Sequence, residues 1–172
     1  MYQTTSDQFS IDNDLHASQG QRFANFIIDY ICQIILMMGI TFVFVIIMVL
    51  LGNEGIVARI ESMNKIEEYG IGILISLVYY NIFEIFTART IGKFITNTVV
   101  VNEYGEKPTA NEILIRSLCR LIPFDAFSFL GAPGKGWHDS ISKTYVVKRD
   151  LLKEKKKAFT SLDQIGKTDD EL

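Results

Sequence analysis

The most constraining feature of this 172-residue sequence is a long apolar run near its start. The run extends over residues 22–51, and no residue between positions 30 and 53 carries a formal charge. Because about 20 apolar residues suffice to cross the hydrocarbon core of a bilayer, we expect a transmembrane helix over about residues 21–51. Ser18 and Gln21 form a capping-box pattern that favours a helix start here. A second apolar run predicts a transmembrane helix over about residues 69–88.

The segment before the first run does not have the form of a cleaved signal peptide. It carries Asp7, Asp12 and Asp14 but no Lys or Arg, and the apolar run is too long for a signal-peptide core. We therefore expect a retained span, preceded by a flexible polar N-terminus over residues 1–19. Residues 150–172 predict a mobile charged tail, which leaves a membrane domain between these two ends.

The region after the second span predicts a small β unit and a further helix. Residues 94–101 are rich in Val, Ile and Thr and predict a strand, with which residues 143–148 can pair as a second strand. Strands this short are marginally stable alone, so we expect them to pack against the helices. Thr109 and Glu112 form a capping box, and Pro123 disfavours helix at the residue before it, which together predict a helix over about residues 110–122.

That helix is expected to be amphipathic and to lie in the membrane interface. Its polar stripe consists of Glu112, Arg116 and Arg120, while its apolar residues face the other way. A third membrane span is the alternative, although Arg116, Arg120 and Asp125 weigh against it. Three aromatic residues extend the apolar patch: Phe124, Phe127 and Phe129.

Positive charges are divided unevenly between the two sides of the predicted spans. The connection over residues 56–68 fits either an amphipathic surface helix or an ordered loop, and it holds only Arg59 and Lys65. Fourteen of the seventeen Lys and Arg residues lie between Arg89 and the C-terminus. By the positive-inside rule the C-terminal half faces the cytoplasm, and with two spans the N-terminus does too. We therefore expect a multi-pass protein of the cell (inner) membrane, with both termini cytoplasmic.

Several classes of function are disfavoured. A net charge of −3 without a basic, aromatic-rich face argues against nucleic-acid binding. Cys32 and Cys119 lack metal-like spacing, and His138 beside Asp139 is too little to predict a metal site. The Gly-rich stretch 131–136 lacks the spacing of a phosphate-binding loop. Since no nucleophile–base arrangement and no cofactor motif is found, we expect a protein that is not an enzyme and has no cofactor.

Polar residues occur at the ends of the predicted spans. Arg22 and Asp29 are seven residues apart, hence two turns apart on one helix face, and we expect them to act as a pair. Glu84 lies near the end of the second span, where a charge costs on the order of a few kcal/mol unless it is paired or hydrated. Three residues are expected to anchor the chain at the membrane interface: Arg89, Lys93 and Trp137.

Three short motifs occur in order along the chain: QRFANFIID at residues 21–29, FEIFTARTIGK at 83–93 and GWHDSISKTYVV at 136–147. Together they resemble the RDD family of small membrane proteins, which is named for one arginine and two aspartates. By this resemblance Arg22 and Asp29 match the arginine and the first aspartate, and Asp139 is the candidate for the second. The family is described with three hydrophobic segments, and the third, here around residues 116–130, carries more charge than a span should. The resemblance implies transport, including cation/proton antiport.

The expected fold is mainly α-helical, with two transmembrane helices, a cytoplasmic interfacial amphipathic helix and a short two-stranded β unit. Its cytoplasmic-side charge cluster is either an ion or proton site of an oligomeric small-solute or cation/proton transport component, or a structural feature of a non-catalytic scaffold or accessory subunit. Two spans cannot enclose a pathway, so we expect a homo-oligomer or a membrane-protein partner, and contacts with anionic membrane lipids. The cluster comprises six residues: Arg22, Asp29, Glu84, Arg116, Arg120 and Asp139.

Overall fold

The computed structural model describes residues 9–128 and 135–169 of the chain. The described part is mainly helical and contains one antiparallel pair of strands. The elements follow in this order: a 3₁₀ turn (Asn13–Leu15), α1 (Gln19–Leu50), α2 (Glu54–Glu61), α3 (Lys65–Thr87), α4 (Ile91–Ile95), β1 (Thr98–Asn102), α5 (Ala110–Cys119), α6 (Asp125–Ser128), α7 (Trp137–Ile141), β2 (Thr144–Lys148) and α8 (Arg149–Asp169).

Two helices, α1 and α3, are long and apolar enough to cross a membrane, as the sequence predicted. Ser18 and Gln21 close the expected capping box, and α1 ends before Gly52, whose φ of 68° leaves the helical conformation. α3 begins earlier than expected because Asn64 and Glu67 form another capping box. In the most apolar stretch of each helix, 0% of the α1 residues and 11% of the α3 residues are buried. This apolar surface is therefore available to lipid or to another protein.

The connection between the two long helices is itself helical, which is one of the two forms that the sequence allowed. α2 begins after Asn53, whose side chain accepts a hydrogen bond from the backbone N–H of Ile56 at 3.4 Å. An ion pair between Arg59 and Glu67 joins α2 to the first turn of α3. Because both side chains are well exposed, this pair contributes at most about 1 kcal/mol to stability.

The predicted two-stranded β unit is confirmed, but its first strand is shorter than expected. β1 and β2 are antiparallel, with Val100 opposite Val146. The prediction of strand over residues 94–97 is wrong, because the Thr90 side chain caps α4 and this short helix occupies the start of that segment. Asn97, with a φ of 54°, then turns the chain into β1.

The α4–β1 segment and the α7–β2 segment have the same form. Each is a five-residue helix, then two connecting residues of which the second has a positive φ (Asn97 at 54° or Lys143 at 52°), then a strand with the same pattern of buried and half-buried residues. The repetition puts Lys93 and Asp139, which carry opposite charges, at the third position of matched helices. Two neighbouring hydroxyl groups follow each helix: Thr96 with Thr98, and Ser142 with Thr144.

The third hydrophobic segment does not form one continuous helix in the described residues. The capping box of Thr109 and Glu112 is confirmed, but α5 ends earlier than the sequence predicted. The chain turns over residues 120–124, because Pro123 cannot donate a helical hydrogen bond and Phe124 takes a φ of 68°. Neither α5 nor α6 is long enough to cross a bilayer. Phe129 and residues 131–134 of the predicted Gly-rich loop lie outside the described residues.

The prediction of a flexible N-terminus is wrong for the described part of that segment. Residues 9–19 lie against the β unit, and Leu15 is fully buried beside Val147 of β2. Burial of one leucine stabilises such a segment by on the order of 2 kcal/mol, which a composition-based argument does not capture. Residues 1–8 lie outside the described residues.

The predicted mobile tail is a helix, α8, over most of its length. Its first turn buries Leu152 in the same small core as Leu15. One turn later Lys155 pairs with Asp12 and Asp14, with nitrogen–oxygen distances of 2.9 and 2.7 Å. The buried Leu152 and the ion pairs of Lys155 therefore hold the start of α8 against the N-terminal segment, despite the high charge of the helix. The last three residues of the chain lie outside the described part.

Candidate functional site

The six residues expected to form a charge cluster lie together, beside the first turns of α1 and the last turns of α3. The structure joins five of them through ion pairs and holds Asp29 by a different set of donors. All six are largely removed from solvent. Five have a residue exposure of 6% or less: Arg22, Asp29, Glu84, Arg116 and Asp139. The side chain of the sixth, Arg120, is 15% exposed.

Asp139 is bound by two arginines. It lies in the first turn of α7, and its carboxylate accepts hydrogen bonds from Arg22, from Arg116 and from the backbone N–H of Gly136 at 3.0 Å. Burial alone would raise the pKa of this carboxyl, but Arg116, His138 and Arg22 outweigh burial and hold the pKa well below its usual range. The carboxylate therefore stays ionised and joins α1, α5 and α7.

Glu84 is bound by three cations. Its Oε1 accepts hydrogen bonds from Lys93 Nζ at 3.0 Å and from Arg120 Nη2 at 2.8 Å. Its Oε2 lies 3.2 Å from the Nε of Arg116. Because Arg116 also binds Asp139, one guanidinium bridges the two carboxylates. The result is one continuous set of contacts, which we call the ion-pair network: Arg22, Glu84, Lys93, Arg116, Arg120 and Asp139.

Arg89 and Lys93 are buried, so the prediction that they anchor the chain at the membrane interface is wrong. Arg89 donates Nε to the carbonyl of Thr98 and Nη2 to the carbonyl of Lys93, each at 2.9 Å, and Lys93 belongs to the ion-pair network. Burial lowers the pKa of both groups. The physical reason is that α4 folds back over the end of α3. Lys93 therefore meets Glu84, and Arg89 meets the backbone carbonyls of Lys93 and Thr98. Trp137 is 49% exposed, and its role as an anchor stays a prediction.

Asp29 is not paired with Arg22, contrary to the expectation from their spacing. No ion pair joins Asp29 to any residue that the structure describes. Its Oδ1 accepts hydrogen bonds from the Tyr79 hydroxyl at 2.9 Å and from the backbone N–H of Gly92 at 2.8 Å, and its Oδ2 accepts one from the Thr90 hydroxyl at 2.6 Å. The expected pair does not form because Arg22 reaches across to the carboxylate of α7 instead.

The donors around Asp29 differ in kind from those around Glu84 and Asp139. A hydroxyl group can either donate or accept a hydrogen bond, whereas Arg and Lys side chains only donate. If Asp29 takes up a proton on Oδ1, the Tyr79 hydroxyl can rotate and accept it, because the Tyr79 oxygen otherwise accepts only from the backbone N–H of Ile91, at 3.3 Å. The Thr90 oxygen already accepts from the backbone N–H and the Nζ of Lys93, at 3.5 and 3.3 Å. A proton on Glu84 would instead point at a Lys or Arg side chain, which cannot accept it, and two arginines hold Asp139 in its ionised form. Asp29 is therefore the carboxylate of the cluster that this structure accommodates both with and without a proton.

The sequence-based prediction did not assign Tyr79, Thr90 or Gly92 to the site. A Cβ atom on Gly92 would lie 2.6 Å from the backbone oxygen of Asn25 and 3.1 Å from Oδ1 of Asp29. Only glycine therefore allows α4 to approach α1 closely enough to donate its backbone N–H to the aspartate. Thr90 and Gly92 belong to the motif at residues 83–93, which is the sequence feature that could have identified them.

A histidine–aspartate pair lies beside the ion-pair network. His138 Nδ1 lies 2.6 Å from Oδ2 of Asp125, whose Oδ1 accepts the backbone N–H of His138 at 2.9 Å. Burial lowers the pKa of the imidazole, although Asp139 Oδ1 lies 3.5 Å from its Nε2. The part of the chain that the structure describes contains no group of three or more His, Cys, Asp or Glu residues that could hold a metal ion. Cys32 and Cys119 are both free.

A cavity of about 760 Å³ lies between α1 and α3, with the charge cluster at one end. Asp29 lines this cavity, whereas Glu84 and Asp139 are not among the lining residues. The walls away from the cluster are mainly apolar and include Phe26, Met37, Ile73 and Leu121. Asp29 is thus the predicted site carboxylate that faces open space between the two candidate membrane helices.

A family model described as the RDD family matches residues 16–145, which is most of the chain. The matched segment begins before Arg22 and ends after Asp139, so it includes all six residues of the predicted cluster. No curated protein and no solved structure matches the chain.

Proposed function

Because the family match covers most of its length, the chain belongs to the RDD family, and we propose that it is a component of an oligomeric cation/proton exchanger in which Asp29 binds the proton. One observation carries the proposal: Asp29 lines the cavity between α1 and α3 without an ion-pair partner among the described residues. An exchanging carboxylate must exist both protonated and ionised, and the Tyr79 hydroxyl can donate to the ionised form or accept from the protonated one.

In this proposal α1 and α3 cross the cell (inner) membrane and both chain ends are cytoplasmic. The exposed apolar surface of both helices supports insertion, and the excess of Lys and Arg after α3 supports the orientation. α5 then lies in the membrane interface. The exposed side chains of Leu114, Leu118 and Phe124 support this position, while Arg116 and Arg120 point inward to the ion-pair network.

Transport in this proposal requires a second chain. Two helices cannot surround a pathway, and the most apolar stretch of α1 has no buried residue within the described chain. A second copy or another membrane protein that packs on this surface would close the cavity beside Asp29. The pathway would then lie between α1, α3 and the partner.

A second candidate function is a non-catalytic scaffold or accessory subunit. The observation that favours it is that each carboxylate of the ion-pair network is already bound by at least two cations of the chain. We treat the network as structural in both functions, because Arg and Lys side chains of the chain already neutralise Glu84 and Asp139. The two functions differ only in the role of Asp29.

The test is proton flux in liposomes that contain the purified protein, with an imposed pH gradient and Na⁺ or K⁺ outside. We expect cation-dependent flux for the wild type and its loss in Asp29→Asn. The variant is expected to keep its fold, because the asparagine oxygen can accept from Tyr79 and Gly92, so that only the contact with Thr90 changes. Unchanged oligomer size and melting temperature would verify this.

Asp14→Asn is the matched control, since it makes the same change at an exposed aspartate that pairs with Lys155 outside the cavity. It is expected to retain full flux. Flux that persists in Asp29→Asn would exclude Asp29 as the exchanging group. Absence of flux in the wild type, together with loss of assembly in Asp29→Asn, would favour the scaffold.

A further inference from the structure

The charges at the polar end of the cavity are arranged asymmetrically. The carboxylates of Glu84 and Asp139 balance the nearby cations but do not line the cavity, so they lie behind those cations. Asp29 and Asp125 do line it, but their oxygens already accept from Tyr79, Thr90, Gly92 and His138. The surface that faces the cavity is therefore rich in donors and positive charge. Its cations are Arg22, Lys93, Arg116 and Arg120.

Arg120 retains a donor for a ligand. Its guanidinium carbon lies 3.7 Å from the ring centre of Tyr80, and its Nη2 donates to Glu84. Its Nη1 is buried and makes no hydrogen bond with any described residue. A buried N–H group without an acceptor is costly, and since Arg120 lines the cavity, a ligand there can supply the acceptor. A phosphate oxygen is the acceptor that guanidinium groups bind most effectively, often through two N–H groups.

Between the charge cluster and the far end, where Lys65 and Glu68 line the cavity, the walls are mainly apolar and suit an acyl chain. Arg22 and Met37 both line it on α1, and their separation corresponds to about 22 Å of helix axis. Gly72 and Ser76 line the facing wall on α3, where their small side chains leave room. One leaflet of a bilayer has a hydrocarbon thickness of about 15 Å, so the cavity is long enough for one chain.

We propose that this cavity binds a phosphate group at Arg120, carried by an anionic phospholipid whose acyl chain lies between α1 and α3. Free phosphate is the other source of the same chemistry, and the apolar walls favour the lipid. The inference rests on the cavity and its cations and does not depend on cation/proton exchange, with which a lipid bound in the same cavity beside Asp29 would compete.

The first test is native mass spectrometry of the detergent-purified full-length protein, titrated with dioleoyl phosphatidylglycerol. We expect a bound lipid, and a dissociation constant raised about tenfold or more in Arg120→Gln through loss of a charged hydrogen bond. Arg59→Gln is the matched control, since it makes the same change at an exposed arginine of α2. It is expected to leave lipid affinity unchanged.

A second variant leaves the ion-pair network intact. A Cβ atom on Gly72 meets no atom within 4 Å, so Gly72→Leu fills the cavity without pressing on a neighbour. We expect it to weaken lipid binding about tenfold or more. Gly70→Leu is the matched control, because Gly70 has the same open surroundings on the same helix but does not line the cavity.

Two further ligands separate the sources of the phosphate. Dioleoylglycerol has the same chains without a phosphate, and inorganic phosphate has no chains. Displacement of the lipid by inorganic phosphate, without an effect of Gly72→Leu, would assign the site to the free anion. Equal binding of dioleoylglycerol and phosphatidylglycerol, or unchanged affinity in both Arg120→Gln and Gly72→Leu, would overturn the proposal. No pH gradient is involved, so a failure of ion exchange does not affect this result.

Discussion

The substitution Asp139→Asn is expected to destabilise the fold strongly. Asparagine has the same size, but its amide nitrogen would face Arg22 or Arg116, where a carboxylate oxygen now accepts. Removal of one partner from a buried ion pair costs about 3–5 kcal/mol. Arg116 would keep its contact with Glu84, so we expect a loss near the lower end, about 3 kcal/mol. This loss is a large part of the total free energy of unfolding, which is about 5–15 kcal/mol for a typical protein.

Asp29→Asn is the matched control for this prediction. It makes the same change at an equally buried aspartate, but the direct donors there are uncharged and the Tyr79 hydroxyl can exchange donor and acceptor roles. We expect a cost below about 1 kcal/mol. The two variants therefore separate a carboxylate held by obligate donors from one held by adaptable donors.

The assay is equilibrium unfolding in detergent micelles, followed by the fluorescence of Trp137, the single tryptophan of the chain. This residue begins α7 and lies two residues from Asp139, so its emission reports the release of that helix. Equal losses in Asp139→Asn and Asp29→Asn would refute the reasoning. So would a loss of less than about 1 kcal/mol in Asp139→Asn.

Three further predictions concern packing and pH. Gly92→Ala is expected to lower thermal stability by about 2 kcal/mol or more, because its Cβ would lie 2.6 Å from a backbone oxygen of α1, whereas Gly70→Ala, in open surroundings, should be neutral or stabilising. Leu152→Ala is expected to cost about 2–5 kcal/mol and to speed amide hydrogen exchange in α8 but not in α3; unchanged exchange in α8 would contradict the core assignment. Folding lowers the pKa of His138 and of Asp139, so the stabilisation from each is complete above its ordinary pKa and is lost as the pH falls. Thermal unfolding across pH should therefore show one loss below pH 6.5 and another below 3.8, and His138→Gln should remove only the first.

The long elements were predictable because their causes are local. The length of the apolar runs and the capping boxes at Ser18 and Thr109 set α1, α3 and the start of α5. The two strands were also found, since their Val-rich composition is local. The start of the first strand was misplaced because residues 94–97 have a β-like composition, whereas Thr90 caps a short helix that runs to Ile95.

The partners of the charged residues were not predictable in the same way. Arg22 binds Asp139 across 117 positions of sequence, which depends on how α7 docks against α1. The helix spacing of Arg22 and Asp29 correctly predicted that both lie on one face of α1. It could not predict which other elements would contact each residue. Lys93 was assigned to the lipid interface because its position after a span resembles that of an anchor, whereas the fold-back of α4 turns it toward Glu84.

The predictions for the two ends of the chain were wrong for a related reason. Composition predicted mobile ends because charged and polar residues predominate there. The core of Leu15 and Leu152 joins residues from opposite ends of the chain, so neither segment alone contains enough apolar surface to indicate it. Packing between the two ends can be recognised only in the folded structure, where both ends contact the β unit.

The central claim is that Asp29 takes up and releases a proton within an otherwise fixed ion-pair network. Infrared difference spectroscopy of the reconstituted protein, between acidic and alkaline buffers, measures this most directly. We expect a protonated-carboxyl band that is absent in Asp29→Asn, retained in Asp14→Asn and reduced when Na⁺ is added at constant pH. A band that survives in Asp29→Asn, or a wild type in which no band depends on this residue, would contradict the claim.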